Sequence, residues 1–256
     1  MLDSITPLIL TYDEESNIGR VLDKLQWAKR IVVLDSYSTD RTLSILKDYS
    51  NVDIYQRQFD THSKQWNYGL NETGIDTDWV LALDADYVLT DDMVNELMHL
   101  QPSASTAGYE SGFIYCVQGK PLSGTLYVPV TVLYLRIGAE YKQDGHTQRI
   151  SLAGDVKKLQ SKILHDDRKP LSRWLWAQDR YMTIEAELIS SSQWSELGLT
   201  DKVRKLIFVA PFASFLYCLI LKGGLFDGWA GLYYATQRFV AESILSLKLI
   251  EKKLRG

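Results

Sequence analysis

Short apolar runs alternate with amphipathic segments over the first hundred residues of this 256-residue chain. The runs at residues 5–11, 31–34 and 79–83 have the length and composition typical of strands that are buried on both faces of a parallel sheet. Between them, apolar side chains recur at the three- and four-residue spacing of helices that cover such a sheet. We expect one helix to begin at Thr39 or Asp40, a second to span about residues 62–72, and a third to be capped by Asp91 or Asp92. The alternation predicts an α/β fold built from βαβ units around a largely parallel sheet.

The pattern changes after about residue 108. Apolar segments separated by Gly and Pro predict strands at residues 112–118, 126–136 and 148–152. We expect these to be antiparallel strands added to the parallel core. Apolar residues at helical spacing then predict a helix over residues 169–190.

Composition excludes several classes of protein. The net charge of −4 gives no sign of a nucleic-acid-binding protein. Two cysteines, Cys116 and Cys218, define neither a disulfide framework nor a zinc site. Because residues 1–5 have no basic flank and lead into no signal-peptide core, we expect a cytoplasmic protein.

Two carboxylates one residue apart, Asp84 and Asp86, follow the apolar run at residues 79–83. Side chains at positions i and i+2 of a strand face the same side, so the two can point together from the strand end. Hard oxygen donors at that place suit Mg²⁺ or Mn²⁺ bound together with substrate phosphates. A solvated turn after a strand is the alternative for this short motif taken alone.

Acidic segments follow three predicted strands, at residues 11–15, 35–40 and 84–86. In an open α/β sheet the carboxyl ends of the strands form the ligand-binding crevice, so we expect these segments to converge. The chain contains neither a Gly-x-Gly-x-x-Gly nor a Gly-Lys-Ser/Thr motif. Rossmann-type dinucleotide binding and P-loop nucleotide hydrolysis are therefore disfavoured.

The motifs at residues 10–18, 33–42 and 84–86 together resemble family-two glycosyltransferases of the GT-A fold. The most similar branch comprises bacterial enzymes that add sugars to lipopolysaccharide core or to polyprenyl-linked glycans, and residues 224–228 are similar to a Gly-Phe-Leu-Asp-Gly-like stretch of that branch. The resemblance implies inverting, metal-dependent, non-processive transfer from a nucleoside-diphosphate donor to such an acceptor at the cytoplasmic membrane face. It also implies a nucleotide-binding half at residues 1–100 and an acceptor half at residues 101–195.

The resemblance further implies a set of donor-binding residues. In it the Tyr12 ring lies against the base or ribose, Asp35 accepts a hydrogen bond from the base (usually uracil), and Asp84 touches the ribose. Lys64 would approach the diphosphate, and Asn67 would contact the ribose or organise Asp84. The full nucleotide-sugar set consists of Thr11, Tyr12, Glu14, Asp35, Ser36, Lys64, Asn67, Asp84, Ala85 and Asp86.

Metal and base residues follow from the same resemblance. Asp86 would hold the metal, together with His165, which follows a further apolar stretch. The general base of this branch sits in a Val-His-Glu-like segment, whose counterpart here is residues 144–148, and Thr147 falls at the glutamate position. Since threonine cannot act as that base, Asp144 is the predicted substitute, and His146 would position the acceptor or pair with Asp144.

The last fifty residues differ in character from the rest. Residues 206–221 form a nearly uncharged apolar run, shorter than the roughly 20 residues that span a bilayer. Residues 229–249 are amphipathic and lead into a basic end, and aromatic residues are dense throughout. We expect residues 196–256 to form a helical segment lying in the membrane interface. A helical subdomain packed on the core, or a dimer interface, are the alternatives.

Two other functions stay open at this point. A nucleotidyltransferase also uses paired acids on an α/β sheet, but it would need a Gly-rich basic loop where residues 11–17 are acidic. A non-enzymatic scaffold that binds partners through the C-terminal helices is compatible with the missing glutamate at Thr147.

Overall fold

The computed structural model of the chain describes residues 1–144 and 147–255. It divides into two compact units. Unit 1 comprises Met1–Cys116 and Tyr127–Arg168, and unit 2 comprises Val117–Leu126 and Lys169–Gly256. The main division thus falls at Arg168, whereas the sequence analysis placed the boundary after residue 195.

Unit 1 is built on a mixed sheet. The strands, including the short β7 of unit 2, are β1 (Ile5–Thr11), β2 (Ile31–Asp35), β3 (Val52–Gln56), β4 (Trp79–Asp84), β5 (Tyr87–Val88), β6 (Thr106–Val117), β7 (Lys120–Pro121), β8 (Val130–Leu135), β9 (Glu140–Asp144), β10 (Thr147–Ser151) and β11 (Asp155–His165). The spatial order of the sheet is β3-β2-β1-β4-β8-β6-β11-β5, and β9 pairs with β10 in a separate hairpin. The strands β1 to β4 run parallel, β8 is antiparallel to β4 and β6, and β11 is parallel to β6 but antiparallel to β5.

Both faces of the central strands are buried, as their uninterrupted apolar composition predicts. Alternate residues point to opposite faces, so Leu8 and Val32 pack beneath one layer while Ile9 and Val33 belong to the other. The helices of unit 1 are α1 (Ile18–Asp23), α2 (Thr42–Lys47), α3 (His62–Glu72) and α4 (Asp91–His99). The predicted α/β fold, with antiparallel strands added to a parallel core, is confirmed.

Two helix starts differ from the sequence prediction for local reasons. Helix α4 is capped by Thr90, whose hydroxyl accepts from the Met93 amide at 3.1 Å, and not by Asp91 or Asp92. Helix α2 begins only at Thr42, because Asp40 stays outside the helix and accepts from the Thr42 amide at 2.9 Å. Side-chain competition for the first free amides sets both boundaries.

Unit 2 is helical. Its helices are α5 (Leu171–Ser191), α6 (Leu199–Lys205), α7 (Val209–Leu216), a π-helical turn (Tyr217–Leu221) and α8 (Gly228–Arg255). The buried side chains of α5, among them Met182 and Ala186, share a core with Leu245 and Leu249 of α8. This shared core explains why α5 belongs to unit 2. In the described part of the chain, every helix is too short or too polar to cross a bilayer.

Replacement of Leu83 by alanine tests the central layer. Leu83 is fully buried, so Leu83→Ala should lower the free energy of unfolding by about 2–5 kcal/mol. Ile137, which is 78% exposed, provides the matched control, and Ile137→Ala should stay within about 0.5 kcal/mol of the parent chain. Urea titration followed by circular dichroism measures both. Equal losses would contradict the burial assigned to β4.

Candidate active site

The loops after β1 and β2 are bound to each other by hydrogen bonds. The amide of Asp13 donates to Ser38 Oγ at 2.9 Å, and its carboxylate accepts from the Thr39 amide at 2.8 Å. The Glu14 amide donates to Thr42 Oγ1 at 2.7 Å. Asp13 and Tyr37 adopt left-handed backbone conformations, with φ of 53° and 62°. That conformation costs free energy for a residue other than glycine, and the hydrogen bonds between the two loops stabilise it.

Asp35 lies fully buried at the end of β2. One carboxylate oxygen accepts from Thr11 Oγ1 at 2.9 Å and from the Ser38 hydroxyl, and the other accepts from the Ser38 amide at 2.9 Å and from Gln56 Nε2 at 3.1 Å. A carboxylate offers about four lone-pair positions, so protein donors already use them all. A nucleotide base that binds Asp35 must therefore replace one of these donors.

Tyr12 and Ser36 occupy the adjoining strand ends, as predicted. The register pairs Thr11 with Asp35, which puts the residues that follow them at neighbouring positions. Tyr12 is 42% exposed, and Ser36 Oγ accepts from Gln65 Nε2 of α3 at 3.1 Å. An exposed ring beside a buried carboxylate is a suitable arrangement for a planar polar ligand.

Helix α3 gives its two predicted residues different surroundings. Lys64 is exposed and pairs with Asp60 at 3.4 Å. The Asn67 amide donates to the Tyr141 carbonyl at 2.9 Å and accepts from the Tyr141 amide at 2.8 Å. The structure thus gives Asn67 a role that the resemblance did not imply, since its side chain fastens α3 to β9.

Asp84, Ala85 and Asp86 lie at the end of β4, but not on one strand. Strand β4 ends at Asp84, and Ala85 and Asp86 form the turn that leads into β5. Ala85 is buried, and Asp84 is exposed. The turn, and not the two-residue period of a strand, therefore directs Asp86. The charges of Asp84 and Asp86 nevertheless both raise the pKa of the same imidazole, that of His165.

His165 is the last residue of β11 and is buried beside Asp86. Its Nε2 lies 3.1 Å from Asp86 Oδ2, and its Nδ1 is buried without a hydrogen-bond partner among the described residues. Burial by itself would lower the pKa of His165, but the charges of Asp86, Asp84 and Asp167 outweigh it, so the pKa lies above the usual value. The site has an excess of negative charge that a cation would offset.

The Asp86–His165 pair fits a divalent metal ion. Cis ligands of an octahedral ion with bonds of about 2.1 Å lie about 3 Å apart, and the two side-chain atoms are separated by 3.1 Å. Among the described residues no group of three or more His, Cys, Asp or Glu side chains is arranged to hold a metal. The remaining coordination positions would therefore fall to substrate oxygens and water.

A buried ionic network fixes the chain immediately after His165. Asp166 accepts from Arg20 Nη1 at 2.6 Å and from Arg168 Nη2 at 2.7 Å, and its amide donates to the Asp86 carbonyl at 3.0 Å. Asn17 Nδ2 donates to Glu14 Oε2 at 2.8 Å and to Asp167 Oδ1 at 2.9 Å. These contacts join α1 to the segment that carries His165.

The predicted base lies at the edge of what the structure describes. Strand β9 ends at Asp144, whose backbone pairs with Thr147 of β10. The side chain of Asp144 and the whole of His146 lie outside the described residues. Both assignments stay predictions.

Sequence reasoning missed the residues that hold the site together. Arg20 follows Asn17 by one helical turn, and Asp166 follows His165 directly, so their positions carried a weak signal. Gln56 and Gln65 carried none, because their partners lie 21 and 29 residues away in the sequence.

Residues 8–116 match the family model described as Glycosyl transferase family 2. The prediction that the chain is a glycosyltransferase is confirmed by this match. The finer prediction, a lipopolysaccharide-core or polyprenyl-linked-glycan branch, stays a prediction. A comparison with curated protein sequences gave no match.

Two solved structures are similar to the chain at low sequence identity. TarS residues 1–349 from S. aureus, in complex with UDP-GlcNAc, match with a TM-score of 0.50 and 14% identity, over 98% of this chain and 91% of that chain. Glucosyl-3-phosphoglycerate synthase from Mycobacterium tuberculosis, in complex with Mn²⁺, UDP and glucosyl-3-phosphoglycerate, matches with a TM-score of 0.46 and 15% identity, over 73% of this chain and 78% of that chain. The TarS match supports the predicted GT-A fold.

Removal of the Asp166 charge tests the network behind His165. Asp166→Asn leaves Arg20 without its buried counter-charge, so we expect a loss of about 3 kcal/mol in the free energy of unfolding. The exposed Lys24–Asp91 pair is the matched control, and Asp91→Asn should cost less than about 1 kcal/mol. Guanidinium unfolding curves measure the difference. Similar losses for the two variants would show that the network is no stronger than a surface pair.

Proposed function

We propose that this chain is an inverting glycosyltransferase that moves a sugar from a nucleoside-diphosphate donor, UDP in our proposal, to a lipid-linked or lipopolysaccharide-type glycan. The observation that carries the proposal is the contact of Asp86 with the buried His165, at 3.1 Å. Asp86 follows β4, and His165 is the last residue of β11. Asp86 also belongs to the segment that matches the glycosyl transferase family 2 model.

The loops after β1 and β2 would hold the nucleotide. Tyr12 offers an exposed ring for the base, and buried Asp35 offers a carboxylate that can exchange one protein donor for a base N–H. Gln56, whose 3.1 Å contact is the longest at Asp35, is the donor that we expect to be displaced. The TarS fragment with the same fold was crystallised with UDP-GlcNAc, and we extend uridine recognition to this chain as part of the proposal.

Asp86 and His165 would hold Mg²⁺ or Mn²⁺. When bound, such an ion supplies the positive charge that stabilises a departing diphosphate. Asp84, exposed at the end of β4, would bind the ribose. Asp144 would take the proton from the acceptor hydroxyl as the sugar inverts, with His146 beside it.

The composition of unit 2 supports binding to a membrane surface. Unit 2 contains 13 Lys and Arg against 8 Asp and Glu, whereas unit 1 contains 15 against 24. Phe226 and Trp229 are 90% and 84% exposed at the turn before α8 and in its first residues. Exposed aromatic side chains on a basic unit are typical of proteins that lie in the interface of an anionic bilayer. We therefore propose peripheral attachment to the cytoplasmic face of the membrane.

Replacement of Asp86 tests the metal and the donor together. For the parent chain, UDP with Mn²⁺ should raise the melting temperature well above the effect of UDP alone, by mass action on the native state. Asp86→Ala should abolish that metal-dependent increase. Sugar transfer from UDP-sugars should fall by roughly 10²-fold or more, because a catalytic metal supplies several kcal/mol.

Asp92→Ala, in the exposed first turn of α4, is the control and should behave as the parent chain does. A Mn²⁺-dependent shift that survives in Asp86→Ala would contradict the proposed metal site. Failure of the parent chain to bind any nucleoside diphosphate would contradict the proposed donor.

Replacement of the exposed aromatic residues tests membrane attachment. A Phe226→Glu, Trp229→Glu double variant should bind phosphatidylglycerol-containing vesicles at least about tenfold more weakly, since each large apolar side chain contributes about 1.5–3 kcal/mol when buried. Ile137→Glu, in unit 1, should leave binding unchanged. Vesicle co-sedimentation measures all three proteins. Parent protein that stays in the supernatant, or a double variant that still pellets, would exclude this mode of attachment.

A further inference from the structure

Aromatic rings from β5, from β6 and from the segment before β8 surround His165. The register places Tyr115 of β6 and Tyr87 of β5 opposite His165 of β11. Their ring centres lie 5.0 Å and 5.1 Å from the imidazole, and that of Tyr127 lies at 4.3 Å. Phe113 completes the group at 6.2 Å. The cluster therefore borders the proposed reaction centre directly.

Exposure differs sharply across this cluster. Tyr87 and Phe113 are buried, whereas Tyr127 is 43% exposed and Tyr115 is half-buried. The rings of Tyr115 and Tyr127 are 5.6 Å apart with only 30° between their planes. Val128 and Val130 continue an exposed apolar strip from Tyr127. The outer pair presents aromatic surface to solvent next to Asp86 and His165, and packing alone does not require that surface.

We propose that Tyr127, backed by Tyr115, binds a pyranose ring of the acceptor glycan. Aromatic rings present flat apolar area, which complements the C–H face of a sugar, and ligand sites combine such surface with a few polar groups. The pair carries no charge, so it suits a sugar better than a diphosphate. This inference rests on the proposed function and names the acceptor's place within it.

The acceptor is favoured over the donor sugar by the accessibility of Tyr127. In an inverting transfer the donor sugar lies between its diphosphate and the incoming hydroxyl, so the acceptor occupies the outer position. Tyr127 is the most exposed ring of the cluster, and it lies over the imidazole that we assign to the metal. A sugar stacked there would bring its hydroxyl groups to the edge of the reaction centre.

Saturation-transfer NMR with simple glycosides tests this subsite without turnover. The probes are the methyl β-glycosides of glucose, galactose and N-acetylglucosamine, added to full-length protein with UDP and Mg²⁺. For the glycosides that bind the parent chain, we expect Tyr127→Ala to raise the dissociation constant at least about tenfold, because the variant loses one aromatic contact. UDP affinity, measured by calorimetry on the same samples, should change by less than twofold.

Two further variants serve as controls. Tyr127→Phe keeps the ring and should retain glycoside binding. Retained UDP binding by Tyr127→Ala shows that the alanine variant is folded. Phe59→Ala removes an aromatic side chain of similar exposure, 37%, elsewhere in unit 1 and should have no effect.

Each outcome decides the inference. Loss of glycoside binding with UDP binding retained supports it. Equal weakening of both ligands overturns it, because Tyr127 then acts on the donor or on the fold, and so does a parent chain that binds UDP but none of the probes. Unchanged glycoside binding in Tyr127→Ala also overturns it. A parent chain that binds glycosides through Tyr127 but binds no UDP would leave this subsite standing and refute the proposed donor.

Discussion

The pairing of the two-residue strand β5 with the end of β11 is the constraint on which the candidate site depends. It brings Asp86 and His165, distant in sequence, to a separation of 3.1 Å. The Asp166 amide extends the pairing by donating to the Asp86 carbonyl at 3.0 Å. A pairing this short has few backbone bonds of its own, and the ionic contacts of Arg20 and Arg168 with Asp166 stabilise it from outside.

Charge is distributed in a way that suits this arrangement. The carboxylates of Asp84, Asp86 and Asp167 all raise the pKa of one buried histidine, so their negative charge is concentrated at a single point of unit 1. Such a concentration is unfavourable by itself and favourable with a bound cation. Unit 2, with its excess of Lys and Arg, has the opposite character and suits an anionic surface. The two units thus carry net charges of opposite sign, which agrees with the different partners that we propose for them.

Local composition predicted the parts of the molecule that local forces determine. Helix α3 begins and ends at the predicted residues. Strand β4 follows its apolar run, because a short uninterrupted apolar segment is typical of a strand that is buried on both faces. The motifs predicted which residues lie at the strand ends, and their roles in binding stay predictions. The role of Asn67 and the Arg20–Asp166 contact were not found, since each depends on a partner that only the folded chain brings near. The cap of α4 was assigned to the wrong residue, because Thr90 and the two aspartates that follow it are all common cap residues.

The loops after β1 and β2, which we propose to hold the nucleotide, differ physically from the aromatic surface around His165. Asp35 is saturated with protein donors, and Asp13 and Tyr37 are held in strained conformations by bonds between the loops. Binding of a base there exchanges one hydrogen bond for another, so it gains little affinity, but it penalises any base that cannot donate in the same place. The exposed ring of Tyr127 imposes no such hydrogen-bond requirement, and binding there depends on the apolar contact area. A site built in this way would select its nucleotide strictly and accept its second sugar more broadly.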